Sequence, residues 1–349
     1  MSSPHFTNPI EEQLLEESPT STMAGLDEPE AIAGRSLSQL AWARLRRDRW
    51  AMVAMGFIVL ITLAALFAPL LVKWLSIDPY LPDPSVLDDA TGGLPRGWLH
   101  SGISWNHPLG AEPGTGRDIA GMLLYGARIS LTVATVSTFF IVVLGVIIGT
   151  IAGYLGGRTD AVIGRIMDLL LAFPLLLLLL ALSVPLTDRI EGLSILGWKP
   201  IPEGNSARVI YLILIFSLFG WPYLARILRG QVISLREREF VESAIAMGSS
   251  SRRIIFRELI PNLWAPILVY ASLALPTIIA GEAALSFLGV GINPPQTTWG
   301  KMLAQSVTYY TSVPTYLFVP GTLLFLVVLS FNVFGDAIRD ALDPRAGRV

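Results

Sequence analysis

Apolar positions along this chain gather into six long runs, residues 50–72, 129–155, 166–184, 209–228, 261–288 and 313–334. Spanning the hydrocarbon core of a bilayer takes about 20 apolar residues in a helix, and each run approaches or exceeds that length with little charge at its centre. The pattern predicts an all-α membrane protein with six transmembrane helices. The third and fourth runs are the shortest and carry Pro174 and Pro222. A proline is tolerated in lipid where neighbouring helices cover the carbonyl it frees, so a packed bundle is expected.

The polar stretches between the runs set the orientation. Residues 1–34 are rich in Glu, Ser and Pro, with Glu11, Glu12, Glu16, Glu17, Asp27, Glu28 and Glu30 ahead of any arginine. Such a stretch does not resemble a secretory signal and buries too little apolar surface to offset chain entropy, so a disordered cytoplasmic tail is expected. Residues 35–49 follow as a juxtamembrane helix whose Arg44, Arg46, Arg47 and Arg49 lie just before Trp50. That cluster makes the first run an uncleaved anchor with its start inside. The same orientation places Arg158, Arg165, the basic residues of 226–257, Arg339, Arg345 and Arg348 inside, as the positive-inside rule expects. Both termini are then cytoplasmic, with 50–345 as the membrane domain and 346–349 as a short tail.

Two loops lie outside in this arrangement. Residues 73–126 are rich in Pro, Gly and Asp and carry Trp98, Trp105 and an apolar patch at 123–125. They are expected to form a lip over a pore, with the patch on the membrane surface. Residues 187–208 hold turn signals at Pro200, Pro202 and Gly204.

Composition narrows the chemistry. The 349 residues are 52% hydrophobic and 15% charged, with mean hydropathy +0.58, too apolar for a soluble surface. A net charge of −2 gives no argument for a nucleic-acid partner. Cysteine is absent, and the three histidines, His5, His100 and His107, all fall outside the apolar runs. No metal-ligand spacing and no cofactor are expected. Gly300-Lys301 is followed by Met302 and lacks the upstream glycine of a phosphate loop, so the chain has no nucleotide cradle of its own.

The internal stretch from Arg229 to Pro261, RGQVISLREREFVESAIAMGSSSRRIIFRELIP, is polar yet spaced as two short helices. Gly248 is placed to end the first as a C′ glycine. One of Ser249 to Ser251 can cap the second, which carries Ile254, Ile255 and Leu259. On the first helix Phe240, Ala244, Met247 and Gly248 recur at three- and four-residue spacing beside Glu242 and Ser243. Small side chains let another backbone approach closely, and Glu242, Arg252 and Arg253 offer charges to fix register, so this face suits a groove on another protein.

ESAIAMG followed by ELIP resembles the EAA loop of ABC-importer permease subunits, with Ser243 where alanine and Ile260 where leucine is usual. The likeness runs through nearly everything after Leu40 and narrows to the C-type permease of dipeptide and oligopeptide (nickel) importers. It is carried by HPLGAEPGTGRDIAGMLLYGARISL from His107, one residue longer than the family pattern between Gly110 and Gly116. It continues in GGRTDAVIGRIMDLLLAFP, in EAALSFLGVGINPPQTTWG from Glu282 to Gly300, and in NVFGDAIRDALDPR near the end.

That resemblance implies a type I permease fold in the inner (plasma) membrane and a pore subunit that is not itself an enzyme. It implies a second homologous permease chain, two ATP-binding subunits and an extracytoplasmic solute-binding protein. The EAA loop would be the coupling helix gripped by the ATPase, through Phe240, Glu242, Ser243, Ala244, Met247, Gly248, Arg252, Arg253 and Pro261. The competing classes are an ion-coupled secondary transporter or channel, which would show paired ionisable residues near the midplane or inverted repeats, and a membrane enzyme, for which no acid-base pair or nucleophile stands out. The sequence assigns no solute and no pore-lining residue.

Four charged positions carry separate expectations. Glu282 is read as an interfacial charge at a helix break, because Pro276 and Gly281 precede it. Asp168 is expected to pair with Arg165 at i, i+3. Arg117 and Asp118 are expected to order the external loop against the bundle. Asp336, Arg339, Asp340 and Asp343 read as a brace where the last helix enters the cytoplasm.

Overall fold

The computed structural model describes residues 37–193 and 205–343. The tails at 1–34 and 346–349, Arg345 and Arg348, and the turn residues Pro200, Pro202 and Gly204 lie outside the described residues. By packing, the chain divides after Leu40, and of the first unit only the opening residues of helix α1 (Leu37–Leu45) are described.

Among the described residues, five helices are long and apolar enough to cross a membrane, six if one sharply bent pair counts as a span. The first is α2 (Arg49–Leu66), whose N-cap Asp48 accepts the backbone N–H of Trp50 and Ala51 at 2.9 and 3.1 Å. A short helix α3 (Ala68–Trp74) follows it. The others are α4 (Ile119–Leu155), α7 (Ser206–Leu235), α9 (Trp264–Phe287) and α11 (Pro314–Leu342), the last preceded by the short α10 (Trp299–Ser306). Pro222 lies buried inside a continuous helix, as the packed-bundle expectation required, whereas Pro174 sits at a break between two helices.

The third apolar run is not one straight helix. It splits into α5 (Gly157–Ala172) and α6 (Leu175–Glu191), bent by 85°. Pro174 has no N–H to give the ladder, and its ring pushes Phe173 into an extended conformation (φ −75°, ψ 131°). Charge ties α5 to α7: Arg226 donates to Asp168 at 2.6 Å, and Arg229 grips both carboxylate oxygens of Asp160. The expected Arg165–Asp168 pair therefore gives way to a partner 58 residues along, because α7 presents a guanidinium directly to Asp168.

Helices α4 and α7 form the central seam. Gly145, Gly149 and Gly153 place bare backbone against α7: a methyl group at Gly149 would stand 2.6 Å from the Ala225 carbonyl oxygen, and one at Gly153 would stand 2.8 Å from that of Arg229. Small residues at four-residue spacing bring helix backbones together where lipid supplies no hydrophobic drive between them. The apolar core spreads from this seam to α9 and α11 through Ile141, Phe216, Ile279 and Val327.

The polar segment between α3 and α4 folds on itself. Asp78, Asp83 and Asp88 each accept the backbone N–H two residues on, giving three Asx turns. Strands β1 (Leu87–Asp88) and β2 (Leu94–Pro95) pair antiparallel across Gly92 and Gly93, both at positive φ. The segment ends earlier than its composition implies. Asp118 accepts the Gly121 N–H at 2.7 Å and starts α4 at Ile119, so residues 123–125 are helical rather than a surface patch. Leu123 is buried, and its carbonyl accepts the Trp299 indole N–H at 3.2 Å. Trp98 and Trp105 are exposed, as are Leu81 and Ile103 of the same segment.

Candidate functional site

Helix α7 runs on to Leu235, so the internal loop begins later than Arg229. Helix α8 (Glu239–Ala246) follows, with Glu239 and Glu242 in its first turn, where carboxylates suit the positive end of the helix dipole. Its end is a Schellman motif. Gly248 sits at φ +76°, its N–H reaches the Ile245 carbonyl, and the Ser249 N–H reaches that of Ala244. Among the three serines Ser250 is the next cap, its hydroxyl accepting the Arg253 N–H at 3.4 Å. Both terminator expectations are met.

Beyond Arg253 the helix widens into a π turn over Ile254–Leu259 before a short helical piece at Ile260–Asn262. Pro261 cannot donate to the carbonyl four residues back, and the ladder slips by one: the Ile260 N–H bonds Ile255. The Asn262 side chain covers the Glu258 carbonyl at 2.6 Å.

One side of this loop is apolar and closed. Val241, Ala244, Ile254, Ile255, Leu259 and Leu263 pack onto Val146 of α4 and Leu224, Leu228 and Val232 of α7. The other side is open. Phe240, Glu242, Ser243, Met247 and Gly248 are exposed on or beside α8, and Met247 is 78% exposed. Arg252 and Arg253 line a shallow hollow of about 400 Å³ with Ser250, Phe256 and Arg257. Pro261 is exposed at the far end.

The expected residues are exposed, with one exception. Ala244 turns inward, because the i, i+3 pair Val241 and Ala244 forms the stripe that seats α8 on the bundle. Ile245, 53% exposed, takes a place on the open side that the small-residue spacing passed over. No ion pair holds Glu242, Arg252 or Arg253 among the described residues.

The external segment is built differently. Arg117 donates to both oxygens of Glu112 (2.6 and 3.0 Å) and to the Pro295 carbonyl (3.1 Å), while the Tyr316 hydroxyl of α11 donates to Glu112 at 2.7 Å. Burial would lower the guanidinium, but its two bonds to Glu112 more than offset that and hold it above its ordinary value. His107 bridges Asp118 at 2.9 Å and Asp83 at 3.5 Å. Burial pushes the Asp118 carboxyl up, with the Gly121 amide and His107 opposing. Arg117 and Asp118 order the loop against the bundle, as expected.

Glu282 departs from its expected role. It is wholly buried in an unbroken α9, where it accepts the hydroxyls of Ser130 on α4 and Ser286, each at 2.7 Å. Pro276 and Gly281 are absorbed by the helix instead of breaking it, so the carboxylate clamps α9 to α4.

The family described as "Binding-protein-dependent transport system inner membrane component" matches residues 145–348, and the "N-terminal TM domain of oligopeptide transport permease C" matches residues 36–90. The chain belongs to the binding-protein-dependent inner-membrane permeases. Among its relatives is the oligopeptide transport system permease protein OppC of Bacillus subtilis, 35% identical and covering 92% of this chain and 95% of that protein. The dipeptide transport system permease protein DppC of Alkalihalophilus pseudofirmus is 38% identical over 87% and 89% of the two chains. The glutathione transport system permease protein GsiD of Escherichia coli is 35% identical over the same shares. A permease of this family is a multi-pass inner-membrane protein, and the assignment reached from the EAA-like loop is borne out. A chain from the inward-facing MetNI methionine ABC transporter aligns at 22% identity and TM-score 0.48 over 62% of this chain and 94% of that one.

Proposed function

We propose that this permease is one half of the pore of an ATP-driven importer for peptides or related small solutes, with a type I fold and both termini in the cytoplasm. The observation that carries the reading is the two-sided loop at 236–263. Its apolar side is seated on α4 and α7, and its other side leaves Phe240, Ile245 and Met247 open around Glu242 and Ser243. A lever needs both halves: a stiff seat that passes force to the helices, and a surface for a partner to grip.

In this reading two ATP-binding subunits hold α8 and supply hydrolysis, since this chain has no phosphate loop. A second, homologous permease completes the pore, and a solute-binding protein delivers from the side of the 76–118 segment. ATP-driven closure then biases a bistable bundle between inward- and outward-facing states. Peptides are favoured because the relatives named for oligopeptides, dipeptides and glutathione are each 35% identical or more.

The test is co-expression with two ATP-binding subunits and a second permease, purification through this chain alone, and reconstitution into liposomes. The expected result is a co-purifying ATPase whose turnover rises when peptide-loaded binding protein is added. Solute uptake by the lone chain in pure liposomes would favour the secondary-transporter or channel class instead.

A further inference from the structure

At hydrocarbon depth a cavity of about 450 Å³ opens between α4, α6, α7 and α9, lined among others by Leu175, Gly220, Tyr223, Tyr270, Thr277 and Gly281. Three independent features set it apart from an ordinary lipid-facing hollow. The first is its depth. Ten or more helical residues, roughly 15 Å of rise, lie on either side of Tyr223 in α7 and of Thr277 in α9. Tyrosine facing lipid is enriched at the interfaces, not at the middle of a span, yet Tyr223 is 60% exposed there. Its hydroxyl bonds no other described residue.

The second feature is the broken span. Leu175, the first residue after the 85° bend at Phe173 and Pro174, is itself part of the cavity wall. Irregular backbone at membrane depth is tolerated where it is covered by protein or lines a watered cavity, and interrupted helices frame the transport sites of other carriers. The third is the character of the wall. It holds three hydroxyls, those of Tyr223, Tyr270 and Thr277, among apolar groups and without a charged side chain. Tyr270 and Thr277 already donate to the Gly220 and Leu273 carbonyls, so their oxygens remain as acceptors.

We propose that this cavity is this chain's wall of the solute path, and that it meets a peptide in transit through amide-to-hydroxyl hydrogen bonds and apolar side-chain contact. A wall without charge favours no peptide terminus and holds no peptide tightly, which suits passage over storage. The inference rests on the importer reading and adds to it the residues that face the solute.

The chain's lack of cysteine makes the test direct. Tyr223→Cys, the nearly isosteric Thr277→Cys and, as a lipid-side control on α11, Leu329→Cys are each assembled into the full complex in liposomes. A permanently charged methanethiosulfonate is expected to modify positions 223 and 277, and to modify 329 roughly 100-fold more slowly, the penalty for a charge at hydrocarbon depth. Modification at 223 or 277 is expected to stop ATP-dependent uptake of a radiolabelled di- and tripeptide mixture while ATP hydrolysis continues. Reaction at 223 and 277 as slow as at 329 would mean that lipid or a partner helix fills the cavity, and would overturn the proposal. Full modification with unchanged uptake would overturn it too. Failure of the importer reading looks different: the unsubstituted complex would show no ATP-dependent uptake at all.

Discussion

The two ends of this bundle are fastened by opposite means. The external segment is fixed by directional bonds, with Arg117, Glu112, Tyr316 and the Pro295 carbonyl in one buried network and His107 between two aspartates in another. The internal loop is fixed mainly by apolar burial, through Val241, Ala244, Ile254, Ile255 and Leu259, with one long bond from Arg236 to the Gly153 carbonyl at 3.5 Å. A buried ionic network fails abruptly when one member goes, because the others are left without partners. An apolar seat degrades in proportion to the surface removed and tolerates small shifts. The end expected to move under load thus rests on the contact that can slide.

This contrast can be broken in several places. Arg117→Ala strands the Glu112 carboxylate among buried groups and is expected to cost about 3–5 kcal/mol, read as lowered thermal stability of the purified protein. Replacing both partners, Arg117→Met with Glu112→Leu, should recover only part of that loss, because the Tyr316 and Thr115 hydroxyls also bond Glu112. Full recovery would argue that the network adds nothing beyond the ion pair.

Leu259→Ala at the internal end is expected to cost roughly 2–3 kcal/mol, the low part of the range for such truncations, because the site lies at the edge of the bundle and can collapse. The matching readout is uncoupling: ATP hydrolysis by the complex should persist while uptake falls. Smaller again is the effect of the left-handed turn. Gly248→Val should cost about 1–2 kcal/mol and Gly248→Asn much less, since asparagine visits that conformation. Amide exchange confined to residues 244–250 would separate this local fraying from global unfolding.

The smallest effect expected is that of pH. The Ser85 hydroxyl, foremost, and His107 hold the Asp83 carboxyl below its ordinary value of 3.8. Its stabilising share is therefore present above that value and is lost as pH falls through the lower, folded one. Because Asp83 is well exposed and the buried Asp118, held above its ordinary value, opposes it by protonating more readily in the folded segment, acid should change the proteolysis of the 76–118 segment only slightly.

Much of the fold was legible because helix length and hydropathy are local properties. The positions of α2, α4, α7, α9 and α11 follow from runs that any spanning helix must contain, and the Gly248 and Ser250 terminators follow from backbone chemistry at single residues. What escaped was set by distance. Asp168 has an arginine three residues away and bonds one 58 residues away, and the Ser130 partner of Glu282 lies 152 residues off. Local composition also misleads at element edges. The α4 helix begins at Ile119 because Asp118 caps it, though the surrounding glycines read as loop. The inward turn of Ala244 is signalled in the sequence by Val241 three residues before it, since an apolar i, i+3 pair marks the buried stripe of a helix.

The glycine seam also bears on how this molecule can flex. At Gly149 the α7 backbone itself lies against α4, while at Gly145 and Gly153 the Leu224 and Val232 side chains fill the space that a Cβ would take, so sliding one helix past the other would drive these groups into the α4 backbone. The α4 and α7 rods are in effect riveted. Any rocking of the bundle must then be taken up at unriveted joints: the Gly156–Gly157 elbow, whose two residues both lie at positive φ, and the proline knuckle between α5 and α6.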